Sequence, residues 1–403
     1  MNEQPFEKPP KWWEPRLTPW FVHATSLMRR RTLRKSQRFS KVEFEGLENL
    51  KKVIDAGHGI LITPNHSFHY DSYFMIEAGV QVNRPFHFMA AWQVFAMSRF
   101  WEVFYLQRHG CFSVDREGTD LKAFRQALAI LQESPHPLVV FPEGDIYHTN
   151  DHVTPFRDGA GAMVVSAARK ATRPISVVPC AIKAIYVEDP VPKLENLMTR
   201  LEERLLLRPH ISQKLTERLY RFADAMLSLR ELEYVGEARS GAIPLRVKRL
   251  LSDLLANQES QFGIKTNSDF APERVKELRR RHIERMTSDN PPQGDELRAI
   301  KRAMDELFVA IQLYSYPGDY VAKRPTVERI AETLDKFEED VFKLPYPTNR
   351  GARRAVIRFG EPISISTEKS KQPSAAELTK QMETSVQRLL DQINQENPTR
   401  LID

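Results

Sequence analysis

Asn65, His66 and Asp71 close an apolar run, Gly59-Ile60-Leu61-Ile62-Thr63-Pro64, with four residues between His66 and Asp71. An imidazole and a carboxylate so spaced can divide the work of a general base. The carboxylate holds one ring nitrogen, and the other is left to take a proton. The apolar run reads as a short buried strand ended by Pro64. A helix starting directly after it would set His66 and Asp71 about one and a half turns apart. On spacing alone a structural histidine is the commoner case, so the surroundings of the pair decide.

Three further strand-like edges follow. Gly110-Cys111-Phe112-Ser113-Val114 leads into Asp115-Arg116, and Pro137-Leu138-Val139-Val140 into Phe141-Pro142-Glu143-Gly144. Pro174-Ile175-Ser176-Val177-Val178-Pro179 is the third. Helical segments separate them, one marked by Leu121, Phe124, Leu128 and Leu131 at intervals of three and four. Strands alternating with helices predict an α/β fold with a mixed, largely parallel sheet flanked by helices, whose sites gather at strand ends.

Taken in order, these segments resemble the glycerophosphate and lysophospholipid acyltransferases, the 1-acylglycerol-3-phosphate O-acyltransferase-like family. The likeness rests on Asn65-His66…Asp71 (the HX4D motif), Gly110…Phe112…Asp115-Arg116, Phe141-Pro142-Glu143-Gly144 and Val178-Pro179. It extends to residues 42–49 before them and to Arg358-Phe359-Gly360-Glu361-Pro362-Ile363 late in the chain. The resemblance implies an enzyme of phospholipid-biosynthesis type, with acyl-CoA or acyl-carrier-protein as co-substrate and no cofactor. His66 would act as general base on an acceptor hydroxyl, worth about 10² to 10⁴ in rate, and Asp71 would orient its ring. Arg116 would bind acceptor phosphate through its guanidinium fork. Asn65, Phe141, Pro142, Glu143 and Gly144 would belong to the substrate pocket, Glu143 by accepting hydroxyl hydrogen bonds and Gly144 by close backbone approach.

Plainer readings stand beside these. Arg116 could be a surface partner of Asp115 or Glu117, Glu143-Gly144 could be a turn, and Val178-Pro179 is a packing element. His69, His148 and His152, with Asp71 and Asp151, lack compact ligand spacing, so no metal site is expected. Acyl-thioester hydrolysis and a non-catalytic membrane adaptor are the alternative functions. The chain also departs from the family where phosphate is gripped. Asp145-Ile146 follows Gly144 in place of Thr-Arg, and Ala90-Ala91-Trp92-Gln93 stands where many members carry a Lys. Arg157 or Lys183 could substitute.

The chain has 403 residues, 41% hydrophobic and 28% charged, which describes a soluble protein of two to three domains. Two cysteines, Cys111 and Cys180, give no disulfide framework and fit a reducing, cytoplasmic compartment. No signal peptide or spanning segment is evident. Residues 1–40 form a basic, Trp-rich arm: Trp12, Trp13, Trp20 and Phe21 precede Arg29-Arg30-Arg31, Arg34 and Lys35. Such an arm suits the anionic inner face of a membrane, while the alternative is tryptophans packed on the protein's own core. A net charge of +6 with interspersed acids disfavours nucleic acid as a partner.

Residues 41–191 and 351–403 would make the acyltransferase domain, interrupted by a large all-helical insertion at 192–350. Leu194, Leu197, Met198 and Leu201 have helical spacing, as do Leu215, Leu219, Phe222, Met226 and Leu229. Ile300, Met304, Leu307 and Ile311, then Ile330, Leu334, Phe337 and Val341, continue the pattern. The dense charge of this region, including Glu202-Glu203, Arg279-Arg280-Arg281 and Glu338-Glu339, reads as solvated helix faces.

Overall fold

The computed structural model describes residues 10–265, 268–366 and 368–402. Its strands are β1 (Phe39–Glu45), β2 (Gly59–Pro64), β3 (His87–Ala91), β4 (Cys111–Val114), β5 (Leu138–Val139), β6 (Ile175–Tyr186), β7 (Arg353–Phe359) and β8 (Ile363–Ile365). They form a single sheet in the order β1-β7-β6-β2-β5-β3-β4, with β8 also on β6. Pairing is parallel except that β7 and β8 run antiparallel to β6. The mixed, mostly parallel α/β sheet expected from the sequence is present.

Alternation along the strands fills two cores. Leu61, Val177 and Val356 face one, while Ile60, Ile62, Val178 and Ile357 face the other. Helices Leu121–Glu133, Gly159–Ala168 and Ala375–Glu396 cover the first face. Helices Leu47–Asp55 and Asp71–Gln81 cover the second, together with Val22 and Leu33 of the N-terminal helices. In helix Leu121–Glu133 the buried residues are Ala123, Ala127, Ile130 and Leu131, whereas Leu121 is exposed. Of the large residues spaced along the sequence, Leu131 is fully buried and Phe124 and Leu128 pack against the same core, so the stripe lies on the contact face except at Leu121, while Ala123 and Ala127 let neighbouring helices approach.

Strand β6 outruns its neighbour. β2 ends at Pro64, paired with Cys180, while β6 continues to Tyr186 with β7 on its other side. Side chains take the place of the missing strand. Asn65 accepts from Ile182 N at 2.7 Å and donates to Ile182 O at 3.0 Å. Asn150 does the same for Ala184, at 2.8 and 2.6 Å. Tyr186 N then donates to Glu328 Oε1 at 3.2 Å. Buried backbone polar groups require partners, and here three different segments supply them.

Between β6 and β7 the described residues form helices and no strand: Val191–Arg204, Leu215–Val235, Ile243–Gln261, Ala271–Met286, Gly294–Tyr314, Tyr320–Lys323 and Val327–Phe342. Pro192, Pro244 and Pro272 sit in the first turns of three of them, where a proline's missing N–H has no helical partner to lose. Leu197, Met198, Phe222 and Leu334 centre one apolar core of this region, and Leu250, Leu278 and Ala310 a second. The expectation of solvated charge fails at several positions. Glu202 is fully buried and paired with Arg218 and Arg221, and Glu338 is buried against Arg350. Arg279 reaches out to Glu117 at 2.8 Å. Each buried acid is tolerated inside because a guanidinium neutralises it.

The N-terminal arm also divides differently from its sequence pattern. Trp13 stacks on Phe95 at 5.3 Å and Trp12 packs near Phe112 at 6.1 Å, both against the sheet. Arg29 is fully buried, donating to Glu77 at 2.9 Å, and Arg30 reaches the same carboxylate at 2.7 Å. No helix among the described residues is long and apolar enough to cross a membrane. Cys111 and Cys180 are buried and free, and burial pushes the Cys111 thiol up to about 12.

The side-chain completion of β6 makes a testable demand. Asn150→Ala leaves the Ala184 N–H and C=O without partners in a buried position, a loss of about 2–5 kcal/mol. Chemical denaturation followed by circular dichroism should show a clearly lower midpoint; an unchanged midpoint would contradict the role given to Asn150.

Candidate active site

The residues between β2 and helix Asp71–Gln81 are a loop, not the helical turn anticipated for them. Asp71 is the first residue of that helix and draws the loop back onto itself. Its Oδ2 accepts from His66 Nδ1 at 3.0 Å, Ser67 N at 2.8 Å and Phe68 N at 2.9 Å. A carboxylate at a helix N-terminus is well placed for this, since free N–H groups and the helix dipole favour negative charge there. His66 and Asp71 thus meet through a closed loop, and the fully buried carboxylate fixes the ring.

Donation from Nδ1 to Asp71 places the lone pair of the neutral imidazole on Nε2. The His66 side chain keeps 18% of its surface, and Nε2 has no hydrogen-bond partner among the described residues. Phe141 stacks against the ring with centroids 4.2 Å apart. The arrangement can take a proton at Nε2 and stabilise the resulting cation through Asp71.

Glu143 lies beneath this loop. Its Oε1 accepts from His66 N at 2.7 Å and its Oε2 from Thr154 N at 3.0 Å. Both oxygens thus accept from backbone, a role that the sequence did not suggest for Glu143. Burial pushes its carboxyl up to about 8, with the two N–H bonds opposing that shift and Asp71 adding to it. Asn65 is likewise engaged with the fold: it is 1% exposed and completes β6. Pro142 is buried as well, and its carbonyl accepts from Arg157 N at 2.9 Å.

Gly144 has φ of +76°, and a Cβ there would lie 2.5 Å from Arg157 Nε. Its lack of a side chain admits Arg157. Arg116 approaches the same glycine, donating to Gly144 O at 2.6 Å, with Asp145 4.0 Å away. Two guanidiniums converge on one turn, and Arg157 Nε is buried without a partner. Lys183 is different. It is 1% exposed and tied to Asp151 at 3.8 Å, so it is not free to serve as a substitute cation. Asp151 also holds Arg329, at 3.1 Å, and Tyr320, at 2.7 Å. Burial would raise the Asp151 carboxyl, but Lys183 and Arg329 together hold it below its ordinary value.

The histidines considered as metal ligands part company. His152 is exposed, Asp71 serves His66, and Asp151 serves Lys183. His69 and His148 instead meet Glu339 of helix Val327–Phe342, at 3.3 and 3.2 Å. The ligand atoms of these three lie within 4.8 Å of one another, a donor set that zinc accepts. Sequence reading missed Glu339 because it lies far along the chain, within a run that looked like a solvated helix face.

The site lies at the ends of parallel strands, where sites gather in an α/β sheet. Residues 41–183 match the family model described as Acyltransferase. The match covers less than half of the chain and stops before the helices of residues 191–342. No curated protein matches the chain.

The Glu339 cluster has a pH signature. Burial opposes ionisation, yet hydrogen bonds from His148 and then His69 hold the carboxyl down at about 2. A depressed carboxylate contributes stability above its unfolded value of about 4.5 and loses it as pH falls toward 2, here about 1–3 kcal/mol. Glu339→Gln should therefore be less stable than the natural chain at pH 7 and converge with it near pH 2. A stability difference that stays constant over that range would exclude this role.

Proposed function

We propose that the protein is an O-acyltransferase that moves a fatty acyl group from acyl-CoA or acyl-carrier-protein to a lipid hydroxyl. The acceptor is a glycerophosphate, a lysophospholipid or a related lipid, and His66 is the general base. The observation that carries this reading is the His66 ring held at Nδ1 by buried Asp71, with Nε2 left free.

In this mechanism Nε2 takes the hydroxyl proton as the acceptor oxygen attacks the thioester carbonyl. The tetrahedral intermediate collapses with cleavage of the C–S bond, and the imidazolium returns the proton to the departing sulfur. Asp71 stabilises the imidazolium while it exists. A thioester is already activated, so no acyl-enzyme and no cofactor are needed. Glu143 acts as a positioning residue, because it fixes the backbone that carries His66. Arg116 and Arg157 on either side of Gly144 are the cations offered to an acceptor phosphate, in place of those the family usually carries.

Membrane docking at the cytoplasmic face is part of the same proposal, on a surface larger than the N-terminal arm. Trp20, Phe100 and Trp101 are 71%, 75% and 74% exposed. Ring contacts link Trp20 to Phe21, Phe21 to Phe104, Phe104 to Trp101 and Trp101 to Phe100. Arg31, Arg34 and Lys35 are exposed on the N-terminal helix and suit anionic headgroups.

His66→Ala should lower acyl transfer by about 10² to 10⁴ while leaving thermal unfolding unchanged. The assay is thiol release from acyl-CoA across a panel of phosphorylated and phosphate-free acceptors, with products read by mass spectrometry. Free fatty acid as sole product with every acceptor would replace this reading by hydrolysis. For docking, the Phe100→Ser/Trp101→Ser double variant should lose co-sedimentation with anionic phospholipid vesicles; retained binding would move the contact elsewhere.

A further inference from the structure

A cavity of about 140 Å³ lies among helices Leu215–Val235, Ile243–Gln261, Gly294–Tyr314 and Val327–Phe342, all four of them outside the segment matched to the family. Ala223, Met226, Leu227, Val247, Val309 and Leu313 form its apolar wall. Its floor is Tyr147, His148 and Thr149, which begin three residues beyond Gly144. That floor is bonded to the loop that carries His66. Thr149 O accepts from Ser67 Oγ at 2.9 Å, and His148 shares Glu339 with His69.

We propose that this cavity takes the methyl end of a fatty chain of the reacting lipid, so that the helices of residues 191–342 select chain length. The inference rests on the acyl-transfer reading of the site and adds the place where the chain goes.

Three observations carry it. First, the polar groups on the wall are already satisfied by one another. Lys336 Nζ donates to Ser315 O at 2.5 Å, and Asp340 accepts from Gln312 at 2.6 Å and Tyr316 at 2.7 Å. What the wall offers an occupant is apolar surface, which suits hydrocarbon rather than a sugar or a phosphate. Secondly, the space is a partly open, mostly apolar concavity with a few polar groups, the usual form of a small-molecule site. A cavity of about 150 Å³ holds a benzene ring, so this one accommodates about six carbons. Thirdly, the unpartnered buried polar atoms Tyr147 OH and His148 Nδ1 belong to floor residues. Apolar walls above a polar floor match an amphiphile whose reactive end lies toward the His66 loop.

The chain could belong to the acyl donor or to a lipid acceptor, and the test separates them. Using the whole 403-residue chain, kcat/KM is measured for acyl-CoA of increasing chain length with one acceptor. It is then measured for acceptors of increasing chain length with one short donor. Each buried methylene contributes about fourfold, so Ala223→Phe should lower kcat/KM for long chains tenfold or more and leave the shortest unaffected. Met226→Ala, which enlarges the space, should shift the optimum to longer chains. A shift in the first series assigns the cavity to the donor, and one in the second to the acceptor. Equal effects at all lengths in both series would overturn the inference.

A readout independent of turnover accompanies it. A fatty acid with a diazirine near its methyl end, photolysed with the natural chain, should label cavity residues in peptide mass spectra. Labelling elsewhere would overturn the proposal, even if Ala223→Phe proved too unstable to assay. Cavity labelling by a protein that transfers no acyl group would uphold the chain site and remove the reading of His66.

Discussion

The unpaired half of β6 is the constraint on which the site depends. A parallel sheet must end somewhere, and β2 ends at Pro64 while β6 runs on through Tyr186. The row of N–H and C=O groups at Ile182, Ala184 and Tyr186 then has to be satisfied without a strand. Asn65, Asn150 and Glu328 do this in succession, from the His66 loop, the segment after Gly144 and the helix Val327–Phe342. One strand edge thereby fixes the relative positions of three segments that are remote in sequence. His66 is the neighbour of Asn65, so its place is set by that edge before any contact with Asp71 is made.

Buried carboxyl groups complete the positioning. Asp71 and Glu143 both lie inside, and each is surrounded by N–H donors rather than by cations: three for Asp71 Oδ2 and one for each Glu143 oxygen. N–H groups fixed in a loop hold a carboxylate without supplying a mobile counter-charge. The His66 loop is consequently pinned from two sides, by Asp71 through three donors and by Glu143 through the His66 N–H. A ring so held has its orientation fixed in advance, which is what the proposed general base requires. Arginines enter only at the rim, around Gly144, where the local family pattern is altered.

The sheet and the pairing of His66 with Asp71 were legible in the sequence because both are local. Strand alternation has a period of two, and the His66–Asp71 contact spans five residues. The roles of Asn65 and Glu143 were not legible, since an Asn or Glu in a motif looks the same whether it meets substrate or backbone. Their partners, Ile182 and Thr154, become neighbours only through the fold. The short β3 at His87–Ala91 was hidden because its run passes directly into the helix Trp92–Ala96. Burial of Glu202 and Glu338 was invisible for a related reason. Local charge density predicts solvation unless the guanidiniums of Arg218 and Arg350 are known to face them. Trp12 and Trp13 resemble Trp20 in sequence, and only packing sends the first two inward.

These contacts change what removal of the helices at residues 191–342 would mean. A segment joined to the sheet only through its two ends could be cut out and replaced by a short link. Helix Val327–Phe342 is joined along its length instead: Glu328 completes β6, Glu332 accepts from Asn150 N at 3.1 Å, and Glu339 holds His69 and His148. Arg329 neutralises Asp151 at 3.1 Å, next to buried Lys183. Without that helix the Tyr186 N–H, the Asn150 N–H and the Asp151–Lys183 pair would all lose buried partners together, a cost of several kcal/mol by the usual magnitude of about 1–3 kcal/mol each. Loss of activity on deletion would therefore follow from collapse of the sheet edge as readily as from loss of a chain-binding cavity. Point changes in the cavity wall avoid that ambiguity, since Ala223 and Met226 lie on a different helix from the contacts that hold His66 in place.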